Sequence, residues 1–387
     1  MKNQIILMAA AALAFASCSK DEMTEVNPGN AISFQSAVTR STDITTGNLA
    51  DIYVSALYTT EQNANPLTSG KPYFHKVHFT KQQSGSTAWI STPQYYWPSS
   101  GYLTFVAWAP AAINDLIGNI TDQSTALPEK ISFTPDSNVA NQIDFVGAIS
   151  SSTQAPSTSA VNLTFHHELS KIVIKAKNTN SAYTYKVAGV RIGHVMSSAK
   201  FILANATTTG AWSADGATYG SYTIDYSANG DGAIYTLDGT PTSIMDAKGT
   251  VTSGQEGTSA KLIPQSLTAW NKHGSTSSTG SYISVKVNIT THDGAQVFPR
   301  KGTYAWVSVP VKGSWSKGNQ YTYVLDFSNG AGWTDPDTDS GETGSNPGEQ
   351  VLGNSITFTV SETPWAPEPG HTDGSETVPM KPQQGQN

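Results

Sequence analysis

Cysteine occurs once in the 387 residues, at Cys18. No disulfide can form within the chain, so its stability outside the cell must come from sheet packing and backbone pairing. Charge is scarce too, at 13% of residues with a formal net charge of −7, and arginine is confined to Arg40, Arg191 and Arg300. Such a chain lacks the basic footprint that nucleic acid requires. Sustained helical periodicity is missing, as is any apolar run of transmembrane length. The many serines include no nucleophile elbow in a strand–turn–helix setting. Neither an enzyme nor a cofactor site is expected.

What is present begins with the ends. Lys2 precedes an apolar run, Ile5–Ala16, which has the length of a signal-peptide core and is too short to span a bilayer. It stops at Ser17-Cys18, with small residues before the lone cysteine in the manner of a lipobox. Residues 1–17 are therefore expected to be a lipoprotein signal peptide, and Cys18 the acylated mature N-terminus anchored in the outer membrane. A free or buried thiol is the alternative. Lys20, Asp21 and Glu22 resemble the signal that carries lipoproteins to the outer face of that membrane, and residues 18–30 read as a polar tether.

Beyond the tether, period-2 alternation recurs, bounded by Gly, Pro, Asn and Ser; Ile52–Tyr58, Lys171–Ala176 and Tyr321–Phe327 are examples. Short strands separated by turns at this spacing predict β-sandwiches. The Ser/Thr-rich stretch 150–160 reads as a linker between two of them, residues 31–160 and 161–330. A second linker is expected at Thr334–Gln350, acidic and turn-rich, within a segment 331–366 that also carries one more strand, Ser355–Val360. Residues 367–387 read as a disordered tail. A lone strand beyond a flexible linker needs a partner.

Several segments in order cover nearly the whole mature chain: AISFQSAVTR (31–40), YYWP (95–98), LTFVAWAP (103–110), LTFHHELSKIVIKAKN (163–178), LIPQSLT (262–268) and WSKGNQYTYVLDF (315–327). Together they resemble the fimbrillin family of type V pilus subunits. The resemblance implies an all-β fold of two sandwiches with transthyretin-like topology, lipoprotein export, and polymerisation after a surface protease removes an N-terminal strand. Its implied partners are other pilus subunits. The alternative is a surface lipoprotein that binds glycans.

Four sets of residues bear on these readings. His166-His167-Glu168 looks metal-like, but adjacent strand residues face opposite ways, and no matching His or Cys pair lies at metal spacing. Asp335, Asp337 and Asp339 with Gly341 have a calcium-loop rhythm, although the glycine is one place late and the twelfth position is Asn346 rather than Glu. No metal is expected at either. Of nine tryptophans, Trp97, Trp108 and Trp306 read as core or turn residues, and Trp212 as an exposed position on which a sugar could stack.

The fourth set relates the two ends. Ile32, Phe34 and Val38 lie on one face of an extended segment that finishes at Arg40, while Ile356, Phe358 and Val360 do the same near the C-terminus. A cut between Arg40 and Ser41 would remove anchor and strand together. A sheet that loses a strand exposes an apolar groove and unpaired backbone groups, a template for a strand from another chain. The C-terminal strand is expected to be that donor, carried by a linker able to extend about 55 Å.

Overall fold

The computed structural model describes residues 26–38, 49–62, 64–65, 69–81, 88–110, 130–150, 153–155, 157, 159–202, 210–251, 257–271 and 280–365. The signal peptide, Cys18, Lys20, Asp21, Glu22, Arg40, Ser41 and the tail 367–387 lie outside the described residues. The chain is all-β, in two bodies.

The first body is built from β1 (Val26–Ala31), β2 (Phe34–Val38), β3 (Asp51–Thr59), β4 (Lys71–Lys81), β5 (Ala88–Ser91), β6 (Tyr96–Pro98), β7 (Tyr102–Ala109), β9 (Val146–Ile149), β10 (Thr153–Gln154) and β11 (Val161–His167). Its main sheet runs β10-β7-β3-β4-β5-β2-β11-β9, and β9 pairs back onto β7, so the sheet closes on itself. Alternation sets the faces. In β11, Val161, Leu163, Phe165 and His167 are buried, while Asn162, Thr164 and His166 are exposed. β7 instead is buried from Leu103 to Ala109, because both its faces are covered: Leu103, Phe105 and Ala107 fill the barrel, while Val106 and Trp108 face the second body.

The second body stacks two sheets. One runs β16 (Thr242–Ser243), β12 (Ser170–Lys177), β23 (Asn319–Asp326), β26 (Thr357–Pro364), with β17 (Ala260–Leu262) also on β12. The other runs β14 (Ala211–Asp225), β13 (Tyr183–Ile202), β19 (Tyr282–Thr291), β21 (Ala305–Pro310), β24 (Gly330–Thr334), β25 (Gln350–Gly353). Short strands β15 (Tyr235–Thr236) and β20 (Gln296–Phe298) extend it, and β18 (Gln265–Leu267) with β22 (Gly313–Trp315) forms a separate ribbon. Inward residues such as Ile172, Ile174, Val187, Ile283, Val285, Leu325 and Phe327 make the core between the sheets.

Three expected boundaries are corrected. The division at 160 falls instead after His167, since β11 stays in the barrel through five parallel pairs with β2; the chain then passes directly into β12. In exchange, β8 (Lys130–Phe133) leaves the first body and pairs with Ala199–Ile202 of β13. Stretch 150–160 is no free linker, because Thr153 and Gln154 pair with Leu103 and Tyr102 and the Ala155 N–H donates to the Gly101 carbonyl at 2.8 Å. The end of the tether is also structured, since Val26 and Ala31 pair with Pro98 and Tyr96 across a bulge at Asn27–Asn30.

The acidic segment Thr334–Gln350 is folded as well. Its turn residues satisfy their own backbone: Asp339 caps a single helical turn, α1 (Ser340–Thr343), and Thr334 Oγ1 donates to the Asn346 carbonyl. Composition typical of linkers is here the composition of a tight, self-bonded loop between paired strands β24 and β25.

Candidate assembly groove and C-terminal strand

β2 is the short strand on which closure of the barrel depends. On one side Phe34 and Gln35 pair antiparallel with Trp89 and Ala88 of β5; on the other, Phe34–Val38 pair in parallel with Val161–Phe165 of β11. The spacing that predicts a shared face for Ile32 and Phe34 places both in the core, at 1% and 0% exposure. Phe34 stands edge-on to Phe79 and Phe105, with ring centroids 4.8 and 4.9 Å away. The Ile32 N–H donates to the Tyr95 carbonyl at 2.8 Å. Val38 is the last residue of β2 and its backbone pairs with Phe165. Without β2 the barrel would be open between β5 and β11, with Phe74, Phe79, Trp89 and Phe105 lining an apolar trough.

At the other end, the strand expected to lack a neighbour has one. β26 lies antiparallel on β23, from Asn319↔Pro364 to Asp326↔Thr357. The three residues expected on one apolar face sit unevenly: Ile356 is buried in the second core, while Phe358 and Val360 are only half-buried against it. Phe358 meets Tyr323 with centroids 6.0 Å apart. Glu362 accepts hydrogen bonds from the Tyr321 hydroxyl at 2.8 Å and Asn319 Nδ2 at 2.5 Å, which fixes the register. β26 is thus an edge strand on its own body, and with Thr334–Gln350 folded its reach is set by the turn at Gly353–Ser355. Gly353 has φ +56°, and a Cβ there would come within 2.7 Å of the Asn329 carbonyl oxygen.

Between the bodies lies a cluster that sequence reasoning read only in part. Val106, Trp108, Phe133 and Phe145 meet Leu169, Met196, Phe201, Ile263 and Trp365. His166 and His167 do point to opposite faces of β11, the first exposed and the second buried. His167 Nδ1 lies 2.9 Å from Asp144 Oδ2, and its ring stacks on Trp365 at 4.4 Å with 9° between the planes. Glu168 is fully buried; burial outweighs the Lys317 ammonium 2.9 Å from Oε2 and pushes the carboxyl up to about 7. Nothing in the sequence assigns Trp365 to this cluster, although a large aromatic just before a Pro/Gly-rich tail is the signal that could have done so.

The calcium-like spacing serves another purpose. Asp335, fully buried, meets Arg191 at 3.0 Å and accepts from Ser284 Oγ at 2.5 Å. Its carboxyl is held above the ordinary range because burial outweighs Arg191. Asp337 accepts from the Tyr282 hydroxyl at 3.2 Å, and Asp339 from the Gly341 N–H at 2.8 Å. Asp335 and Asp337, which share Arg191, pin the loop to the sheet, and Asp339 caps the helical turn within it. Among the described residues, no group of three or more His, Cys, Asp or Glu side chains could hold a metal ion.

Trp212, the position on which a sugar could stack in the alternative reading, is packed and bonded rather than open. Its indole N–H donates to the Glu168 carbonyl at 2.6 Å and its ring packs on Phe133, Phe145 and Phe201. Trp97 and Trp108 are core residues, as expected; Trp306 lies half-buried on the outer sheet face with the Arg191 guanidinium 4.5 Å from its ring. The one exposed large apolar side chain among the described residues is Tyr219, stacked on His194 at 5.2 Å.

A family model described as fimbrillin-like matches residues 37–345. A search of curated proteins finds no match. Among solved structures, a fimbrial protein from Bacteroides vulgatus is similar at 18% identity and a TM-score of 0.52, over 87% of this chain and 100% of that one. A fimbrilin from Porphyromonas gingivalis is similar at 12% identity and a TM-score of 0.41, over 89% of this chain and 99% of that one.

Proposed function

The chain belongs to the fimbrillin-like family, and from that premise we propose that it is a structural subunit of a cell-surface fimbria, assembled by strand exchange and serving adhesion. The observation that carries this reading is β2 itself. A five-residue strand closes a barrel, places Phe34 in its core with the buried Ile32 two residues ahead, and is followed within two residues by Arg40. Near the other end, Ile356-Thr357-Phe358 repeats the Ile-x-Phe pattern on an edge strand.

In this reading Cys18 carries acyl chains, Lys20, Asp21 and Glu22 direct the lipoprotein to the outer face of the outer membrane, and a surface protease cuts between Arg40 and Ser41. Anchor and β2 leave together. The next subunit's Ile356, Phe358 and Val360 then fill the space vacated by Ile32, Phe34 and Val38. Burying three such side chains stabilises the contact by roughly 5 to 9 kcal/mol as an upper figure. Ile356 is already buried in its own core, so the net driving force comes from Phe358 and Val360, which exchange half-burial for full burial, and from the second backbone ladder an inserted strand acquires.

N-terminal sequencing of sheared fimbriae tests the reading. Ser41 is the expected first residue, and Arg40→Ala should leave an anchored, unpolymerised subunit. Assembled material that still contains peptides from the segment 30–40 would overturn it.

A further inference from the structure

A donor strand docked on its own body must be let go only when a groove exists to receive one. Its attachment is uneven. Between Ile356 and Trp365, both buried, no side chain of β26 is buried: Phe358 and Val360 are half-buried and Thr359, Glu362 and Pro364 exposed. Two anchors therefore hold an otherwise lightly packed edge strand.

The second anchor is not confined to the body that carries the strand. The Trp365 N–H donates to the Gly318 carbonyl at 2.7 Å, and Lys171 Nζ lies 5.8 Å from its ring, both in the second body. The flat contact, however, is with His167 across the junction. His167 is the last residue of β11 and is set by Asp144 and by the pairing of His166 and His167 with Gly147 and Val146 of β9. The other five residues of β11, Val161–Phe165, pair with β2. Loss of β2 would thus leave β11 with a two-residue ladder and an open edge, and the residue at its end is the one on which Trp365 rests.

We propose that β11 and Trp365 couple the two events of assembly: departure of β2 loosens His167, and the loosened His167–Trp365 stack frees β26 for donation. The inference rests on the strand-exchange reading above and adds its regulation. Before cleavage the stack keeps β26 docked; afterwards the same subunit becomes acceptor and donor together. A donor strand is then never released ahead of an open groove.

Hydrogen exchange read by mass spectrometry tests this on the full-length lipoprotein, before and after cutting at Arg40. In the uncut protein, segment 357–365 should be protected. After cutting, exchange should rise at least tenfold both in segments 88–91 and 161–165, which report groove opening, and in 357–365. Trp365→Ala in the uncut protein should raise exchange in 357–365 alone, by a similar factor, whereas Trp365→Phe, which keeps a ring over His167, should stay near wild type. If cutting opens 88–91 and 161–165 but leaves 357–365 protected, the coupling is refuted while strand loss stands. Unchanged protection of 88–91 and 161–165 after the cut would refute strand loss, and the coupling with it. Wild-type protection in uncut Trp365→Ala would show that Trp365 is not the latch.

Discussion

Phe34→Ala should weaken the precursor and leave the cleaved subunit untouched. Phe34 is fully buried and edge-on to two phenylalanines, so truncation removes a large apolar volume from a site whose neighbours are themselves packed. Phe→Ala changes in such cores cost about 3 to 5 kcal/mol. With a urea slope of about 2 kcal/mol per molar for a domain of this size, the first body's unfolding midpoint should fall by roughly 2 M. The same substitution cannot matter once β2 has left with the anchor. Urea titrations followed by tryptophan fluorescence, on precursor and on subunit cut at Arg40, give the comparison. A midpoint difference between variant and wild type that survives cleavage would mean that β2 stays in the barrel, and precursors that unfold together would mean that Phe34 does not hold it closed.

Cys18→Ala should remain an unprocessed precursor that incorporates no fatty-acid label, while alanine at Lys20, Asp21 and Glu22 should keep the label and lose accessibility to protease on intact cells. Glu168 makes stability depend on pH. Its folded carboxyl titrates at about 7 against 4.5 when unperturbed, so between those values the folded state holds more protons than the unfolded one, and stability falls as pH rises through that window and levels off above it. The full shift corresponds to about 3 kcal/mol; Glu168→Gln should remove that slope, and denaturation midpoints at pH 5 and pH 8 that differ equally in both proteins would contradict the assignment.

How far these features were legible in the sequence depends on the kind of signal. Alternation in Val161–His167 places each side chain on its face. Ile32 and Phe34 were readable for the same reason, since a period of two is a local property. Leu103–Ala109, by contrast, is buried on both faces because the second body covers its outer side, which no local period reports. Pairing partners are not local. That β11 stays with β2 while β8 crosses to β13 depends on contacts between residues far apart in sequence. Loop composition misled where Asp, Ser and Thr bond to their own backbone: Thr334–Gln350 has the residues of a linker and the hydrogen bonds of a folded loop. Trp212, expected to be exposed, is held instead by a hydrogen bond to the Glu168 carbonyl, a contact between residues 44 apart that no local pattern reports.

The identity of the donor is where the fimbrial reading is most directly exposed to test. Phe358→Asp combined with Val360→Asp places two carboxylates where the inserted strand must bury apolar side chains, while both positions are only half-buried on the subunit's own body, so Ile356 stays in its core and Arg40 and the groove are left intact. Cleaved subunits should then run as monomers on an unheated denaturing gel in place of a ladder, and added to wild-type subunits they should shorten the ladder, because they accept a strand without donating one. A full ladder from the double variant alone would show that the segment 355–360 is not the donor.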